Sequence, residues 1–170
     1  MHWYGLIVGV ATAVWWSMAE YLEPKTKKVI PWVLLAALVG ARMSHVVDEW
    51  GYYEMNWGRI LQVWNGGLSI WGAILGGGAV GIIWQQVNKL TNQRDVWSAM
   101  ITPLPLAQAI GRIANGVNGE FTNRVMGIPW WGMEAILDVL LFAVMWKWRR
   151  VELYVIGYGL IRLVLHPYRL

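Results

Sequence analysis

Apolar residues run along this chain in six stretches, at roughly 3–22, 30–47, 67–87, 96–114, 131–147 and 152–166, with the polar residues gathered mainly between them. A helix that crosses a bilayer needs about 17–25 residues. Six crossings are therefore predicted, the last two short enough to tilt little or to sit in thinned lipid. Gly and Pro interrupt several stretches, which membrane helices tolerate better than soluble ones. The linkers are short and show no repeat or low-complexity tract. The expectation is an all-α, polytopic integral membrane protein of about six transmembrane helices, with residues 1–170 forming a single transmembrane domain.

Composition agrees with the pattern. The chain is 57% hydrophobic and 14% charged, with 14 Trp, whereas soluble domains average about 25% charged residues. Most of the Trp residues fall near the ends of the apolar stretches, where an aromatic belt sits. A formal charge of +4 does not indicate nucleic acid, because the basic residues form short clusters between apolar stretches. Lys25, Lys27 and Lys28 follow the first stretch, Lys89 and Arg94 the third, and Lys147, Arg149 and Arg150 the fifth. These clusters share one side and assign it to the cytoplasm, so both termini are expected outside. Ser17-Met18-Ala19 resembles a signal-peptide cleavage site, but no basic residue precedes the first stretch and the positive charges follow it. There is no Cys, which excludes disulfides and a protein-borne thiol nucleophile. His2, His45 and His166 lack metal-ligand spacing, so no metal is expected.

With this orientation, polar residues within the stretches can be placed by depth. Tyr4 enters from outside, Arg42 lies about 8 Å below the outer end of the second stretch, and Arg112 stands at the outer end of the fourth. Glu134 lies just inside the fifth, with Asp138 one turn further along the same face, and Arg162 lies one turn below the outer end of the sixth. A single arginine at such a level reads as a side chain snorkelling to the headgroups. Three from three helices, with Asn115 and Asn118 nearby, favour a cavity open to the outer leaflet. Glu120, Glu134 and Asp138 neutralise part of the charge there, and an anionic phospholipid headgroup supplies the rest, since the guanidinium fork matches phosphate oxygens. The tract Gly72–Gly81 reads as helix packing through small-xxx-small pairs. It is not a phosphate loop, because it lies inside a stretch and no Lys-Ser/Thr follows.

Five segments together resemble one family. Gly111-Arg112-Ile113-Ala114-Asn115-Gly116-Val117-Asn118-Gly119-Glu120 is similar to the signature of the prolipoprotein diacylglyceryl transferases, bacterial inner-membrane enzymes. His2-Trp3-Tyr4-Gly5-Leu6, Gly40-Ala41-Arg42 with Tyr52-Tyr53, Trp64-Asn65-Gly66-Gly67-Leu68-Ser69-Ile70 with Gly72, and Gly157-Tyr158-Gly159-Leu160-Ile161-Arg162 resemble its other motifs, in the same order. The resemblance implies transfer of the diacylglyceryl group of phosphatidylglycerol to the lipobox cysteine thiol of a prolipoprotein, with glycerol phosphate leaving. No cofactor is implied. The partners are phosphatidylglycerol, the prolipoprotein signal peptide with its lipobox, and membrane lipid.

By the same resemblance, Arg112 and Arg162 bind the phosphate and stabilise the leaving group, while Asn115 and Glu120 orient Arg112 and the substrate. Tyr4, Arg42, Gly67, Trp71, Asn118 and Glu134 fall at substrate-binding positions. The chain departs from the pattern in several places. Trp71 stands where many members carry a histidine thought to act as base, and Gly116 and Asn123 stand where an aromatic residue and a glycine are usual. His166 replaces a late Glu and is a candidate base. The outer arm is reduced to about Phe121–Trp131, and the family's last helix, expected after residue 170, is absent. Trp71 and the short arm also suit a catalytically impaired anionic-phospholipid-binding protein of the same fold. A small transporter is the remaining class, disfavoured because the polar residues cluster in one leaflet.

Overall fold

A computed structural model describes residues 2–88, 93–121 and 123–168. Lys89 lies outside the described residues, as do the side chains of His2 and Arg94. In chain order the elements are α1 (His2–Leu22), α2 (Thr26–Asp48), α3 (Trp50–Tyr53), α4 (Ile70–Val87), α5 (Gln93–Ile101), α6 (Leu104–Val117), β1 (Arg124–Val125), β2 (Ile128–Pro129), α7 (Trp130–Trp148) and α8 (Val151–Leu165). Short 3-10 turns occupy Trp57–Arg59, Val63–Asn65 and His166–Tyr168. Among the described residues the regular structure is helical, as the pattern predicts, apart from one minimal antiparallel hairpin in the arm.

Among the described residues, three helices are long and apolar enough to cross a membrane: Trp3–Leu22, Thr26–Asp48 and Ile70–Val87. They coincide with the first three apolar stretches. The fourth stretch differs from its reading as one helix, because α5 ends at Ile101 and α6 begins at Leu104. Pro103 explains the break: it has no N–H to continue the ladder and disfavours helical geometry at Thr102, while Pro105 sits in the first turn of α6, where no N–H is needed. The last stretch forms the 15-residue α8, about 22 Å long, which is short of a hydrocarbon core of about 30 Å.

The structure divides into two compact units, residues 1–26 with 94–170, and residues 27–93. In the first, α6 lies between α1 and α7, and α8 packs on α7. Ala11, Trp15 and Ala19 form the buried stripe of α1, spaced four residues apart as one helix face requires. Trp15 Nε1 donates to the Met100 carbonyl at 2.7 Å, satisfying its polar edge inside the unit. Gly157 admits Leu141 so closely that a Cβ there would lie 2.5 Å from Leu141 Cδ1.

In the arm, Arg124 pairs with Pro129 and Val125 with Ile128. Met126 and Gly127 make the turn with φ of 52° and 83°, both positive as a tight type I′ hairpin demands. Val125, Trp130 and Leu165 form a small core beneath the arm, flanked by Phe121, Trp131 and Met133.

The second unit is built on α2 and α4. A Cβ on Gly40 would collide with the Gly72 carbonyl oxygen, one on Gly72 with the Gly40 oxygen, and one on Gly76 with the Ala36 oxygen. The glycine tract therefore serves close helix approach, as its small-xxx-small spacing predicts. Ser44 Oγ donates to Ser69 Oγ at 3.1 Å at one end of this contact.

Candidate active site

The site lies wholly in the first unit and starts from one face of α7. Trp130, Glu134, Asp138, Leu141 and Met145 are its buried residues, a spacing of three or four that keeps them on one side of the helix. Glu134 is 0% exposed and stands between two arginines from different helices. Arg162 Nη1, from α8, donates to Glu134 Oε1 at 3.2 Å. Arg112 Nε, from α6, lies 2.9 Å from Glu134 Oε2, but this oxygen accepts no hydrogen bond. The Arg112 contact is thus a close ion pair with imperfect alignment, and the Arg162 contact is the directed one. Buried charges persist only when paired in this way.

Trp130 lies beneath both cations. Its ring centroid is 5.5 Å from the Arg112 guanidinium carbon and 6.0 Å from that of Arg162, within cation–π range. Its Nε1 donates to the Leu165 carbonyl at 2.8 Å, tying the start of α7 to the end of α8. The arginine side chains remain 19% and 29% exposed. Among the described residues neither Nη2 has a hydrogen-bond partner, so each planar fork keeps an open edge suited to phosphate oxygens.

The end of α6 supplies a brace. Gly119, at φ 71°, takes the left-handed position that ends a helix in a Schellman motif. Glu120 N then donates to Asn115 O at 2.9 Å and Gly119 N to Gly116 O at 3.1 Å. This turn folds Glu120 back over the helix, where Asn115 Nδ2 donates to Glu120 Oε2 at 2.7 Å and Asn118 Nδ2 to Oε1 at 3.1 Å. Arg112 Nη1 closes the chain with a long bond of 3.4 Å to Asn115 Oδ1. Gly116 must be small, since a Cβ there would sit 2.5 Å from Trp131 Cε2.

Six of the residues singled out in the sequence therefore come together: Arg112, Asn115, Asn118, Glu120, Glu134 and Arg162. Tyr4 lies on α1, 39% exposed, and the exposed His166 opens the turn after α8. Arg42, Gly67 and Trp71 belong to the second unit. There Arg42 is 6% exposed and gives its N–H groups to the carbonyls of Ile60, Gly66, Gly67 and Arg59. Gly67, at φ 72°, packs against His45 and Arg42, and Trp71 is exposed on α4. Trp130 was not among the residues singled out, although it precedes Glu134 by four and so shares its face. Among the described residues no group of three His, Cys, Asp or Glu could hold a metal.

The family model described as prolipoprotein diacylglyceryl transferase matches residues 1–170. The chain belongs to this family. It is 34% identical over 139 residues to the phosphatidylglycerol–prolipoprotein diacylglyceryl transferase of Pediococcus pentosaceus, covering 75% of this chain and 48% of the relative. It is 32% identical to the protein of that name from Trichormus variabilis, over 76% of this chain and 48% of the relative. A longer match, to the protein of Streptococcus pyogenes serotype M5, is 28% identical and covers 99% of this chain and 79% of the relative. The first two matches span about half the length of those transferases. All five segments lie within the residues that the family model matches, and one of them, Gly111–Glu120, builds the brace on which Arg112 is held.

Proposed function

We propose that this chain transfers the diacylglyceryl group of phosphatidylglycerol to the lipobox cysteine thiol of a prolipoprotein. The site faces the outer leaflet of a bacterial inner membrane. In this reading the chain crosses the bilayer six times, with α5 and α6 together making one interrupted crossing, and the basic clusters around Lys25, Lys147 and Arg149 lie on the cytoplasmic side. The observation that carries the proposal is the pair Arg112 and Arg162, held over Trp130 and joined through buried Glu134. Two cations share one internal carboxylate, and each keeps an open guanidinium edge. A phosphodiester headgroup fits that charge and shape.

In the reaction, the cysteine sulfur attacks the glyceryl carbon that carries the phosphate ester. A C–S bond forms, the C–O bond to phosphate breaks, and the bonding electrons leave on the oxygen of glycerol phosphate. Charge grows on that phosphate in the transition state, and arginines already fixed in place stabilise it without reorganising. The thiol proton passes to solvent at the outer surface or to the leaving phosphate. Asn115, Asn118 and Glu120 act by holding Arg112.

The test is phosphatidylglycerol-dependent lipidation of a lipobox peptide by the parent, Arg112→Ala and Arg162→Ala proteins. Activity in the parent and a loss of at least about a hundredfold in each variant is expected, the usual effect of removing one charge-stabilising donor. Full activity in both variants refutes the mechanism. Lipid binding by the parent without turnover supports the second reading, an impaired lipid-binding relative, which Trp71 in the place of the family's usual histidine favours. In that case Trp71→His gains activity.

A further inference from the structure

The first unit has a second polar cleft at the far end of α7, about 21 Å along that helix from Glu134. Its volume is about 440 Å³, and it brings together the end of α1, the start of α5 and the turn between α7 and α8. Leu22, the last residue of the α1 span, lines it, so the cleft opens at the level where α1 leaves the apolar layer. The exposed Trp148 lines it too, as an interfacial aromatic residue does at a helix end.

The charges in this cleft are sorted by element. Glu23 follows α1 and Asp95 lies in the first turn of α5, whereas Arg149 and Arg150 make the turn after α7. Two carboxylates thus stand opposite two guanidinium groups in one cleft. Each side has its own scaffold. Thr26 N and Oγ1 both donate to the Glu23 carbonyl, at 3.0 and 2.8 Å, and Lys25 N donates to Glu23 Oε1 at 3.2 Å. Arg149 takes the left-handed position that ends α7, at φ 48°. Its N donates to the Met145 carbonyl at 2.8 Å, and its carbonyl accepts from Ser98 Oγ at 2.6 Å. The Arg149 guanidinium rests 5.9 Å from the centre of the Trp146 ring, which stacks on Tyr21 of α1 at 6.5 Å. A ring face fixes the cation without taking up its N–H donors. Among the described residues neither Arg149 nor Arg150 has an ion-pair partner.

We propose that this cleft binds the headgroup of a phosphoethanolamine lipid from the leaflet opposite the arginine site. The phosphate accepts from the guanidinium groups, and the primary ammonium donates to the carboxylates of Glu23 and Asp95. A simple anion or a simple cation leaves one pair of like charges in the cleft uncompensated, whereas a headgroup carrying both charges satisfies both sides. A choline headgroup has the same charges but no N–H to donate, so it meets the carboxylates less well. Leu22 and Trp148 favour a lipid over a soluble phosphoethanolamine, because they put the mouth where acyl chains continue into the bilayer. The choice of leaflet rests on the six-crossing reading above, and the headgroup chemistry does not. Bound there, one lipid ties α1, α5 and the turn between α7 and α8 together.

The experiment uses the whole chain, delipidated in neutral detergent, and native mass spectrometry with phosphatidylethanolamine, phosphatidylcholine or soluble glycerophosphoethanolamine. The parent is expected to bind phosphatidylethanolamine at least about tenfold more tightly than either of the others, the equivalent of one charged hydrogen bond. Glu23→Gln loses the preference over phosphatidylcholine. Arg149→Asn lowers the affinity for both lipids by at least about tenfold; Asn suits the left-handed position, and the bond from Ser98 to the carbonyl of residue 149 is kept. Arg112→Ala retains the preference, which separates this cleft from the arginine site. Equal binding of the two lipids, equal binding of the soluble headgroup, or unchanged binding by Arg149→Asn overturns the proposal. Loss of the preference in Arg112→Ala also overturns it and assigns the lipid to the arginine site. An inactive parent in the lipidation assay refutes the transfer reading and leaves these binding results standing.

Discussion

Replacing Glu134 by Gln removes the one carboxylate that separates two half-buried guanidinium groups. Breaking a buried ion pair by removing one partner costs about 3–5 kcal/mol, since the remaining charge is left uncompensated. Here the lower end applies. Only the Arg162 contact is a directed hydrogen bond, both arginines keep some exposure, and Gln retains an oxygen to accept from Arg162. A loss of about 3 kcal/mol in a chain of this size lowers Tm by roughly 6–12 °C. The assay is thermal unfolding in zwitterionic nanodiscs followed by tryptophan fluorescence, with and without phosphatidylglycerol. The lipid phosphate supplies the missing negative charge, so it raises the Tm of Glu134→Gln more than that of the parent. A variant that melts within about 2 °C of the parent, or a lipid that protects the parent more than the variant, refutes the account of Glu134 as the internal counter-charge.

Two further outcomes follow from the second unit. Gly72→Ala pushes a Cβ into the Gly40 carbonyl and to 2.6 Å from Ser44 Cβ, whereas Gly78 has nothing within 4 Å of the same atom. Thermal melts should therefore show a loss of roughly 1–3 kcal/mol for Gly72→Ala and little or no loss for Gly78→Ala; equal effects refute the close helix approach. Arg42→Lys replaces a planar fork by a single ammonium, which cannot hold the Arg59, Ile60, Gly66 and Gly67 carbonyls together. Hydrogen exchange across residues 59–67 should accelerate at least about tenfold, the equivalent of one net charged hydrogen bond lost, and unchanged exchange refutes the role.

The apolar stretches revealed the helices because lipid-facing and packed positions are both apolar, so each stretch stands out whatever its neighbours do. They did not reveal the interruption at Thr102–Pro103, since apolar residues on either side of Pro103 keep the stretch continuous. Arg112 and Arg162 were legible as charges out of place, and Glu134 as a carboxylate at their level. The brace was legible only in its residues: that Gly119 turns Glu120 back onto Asn115 depends on the left-handed geometry of one position. Trp130 stayed hidden because an aromatic residue at a helix start, in a chain with 14 Trp, looks like one more member of the interfacial belt. Arg42 carries the opposite lesson. The same out-of-place charge marks an arginine whose donors are taken up by backbone carbonyls.

The anchoring of Trp130 bears on how the arginine pair responds to its surroundings. Its ring is fixed at the nitrogen by the Leu165 carbonyl, and both guanidinium groups rest against it. The spacing between the cations is thus set by a rigid, uncharged spacer bonded to two helices. On the proposed phosphatidylglycerol reading, added salt alters how often an anion occupies the site but leaves the separation of the two cations unchanged, so that discrimination among headgroups by size persists where discrimination by charge has faded.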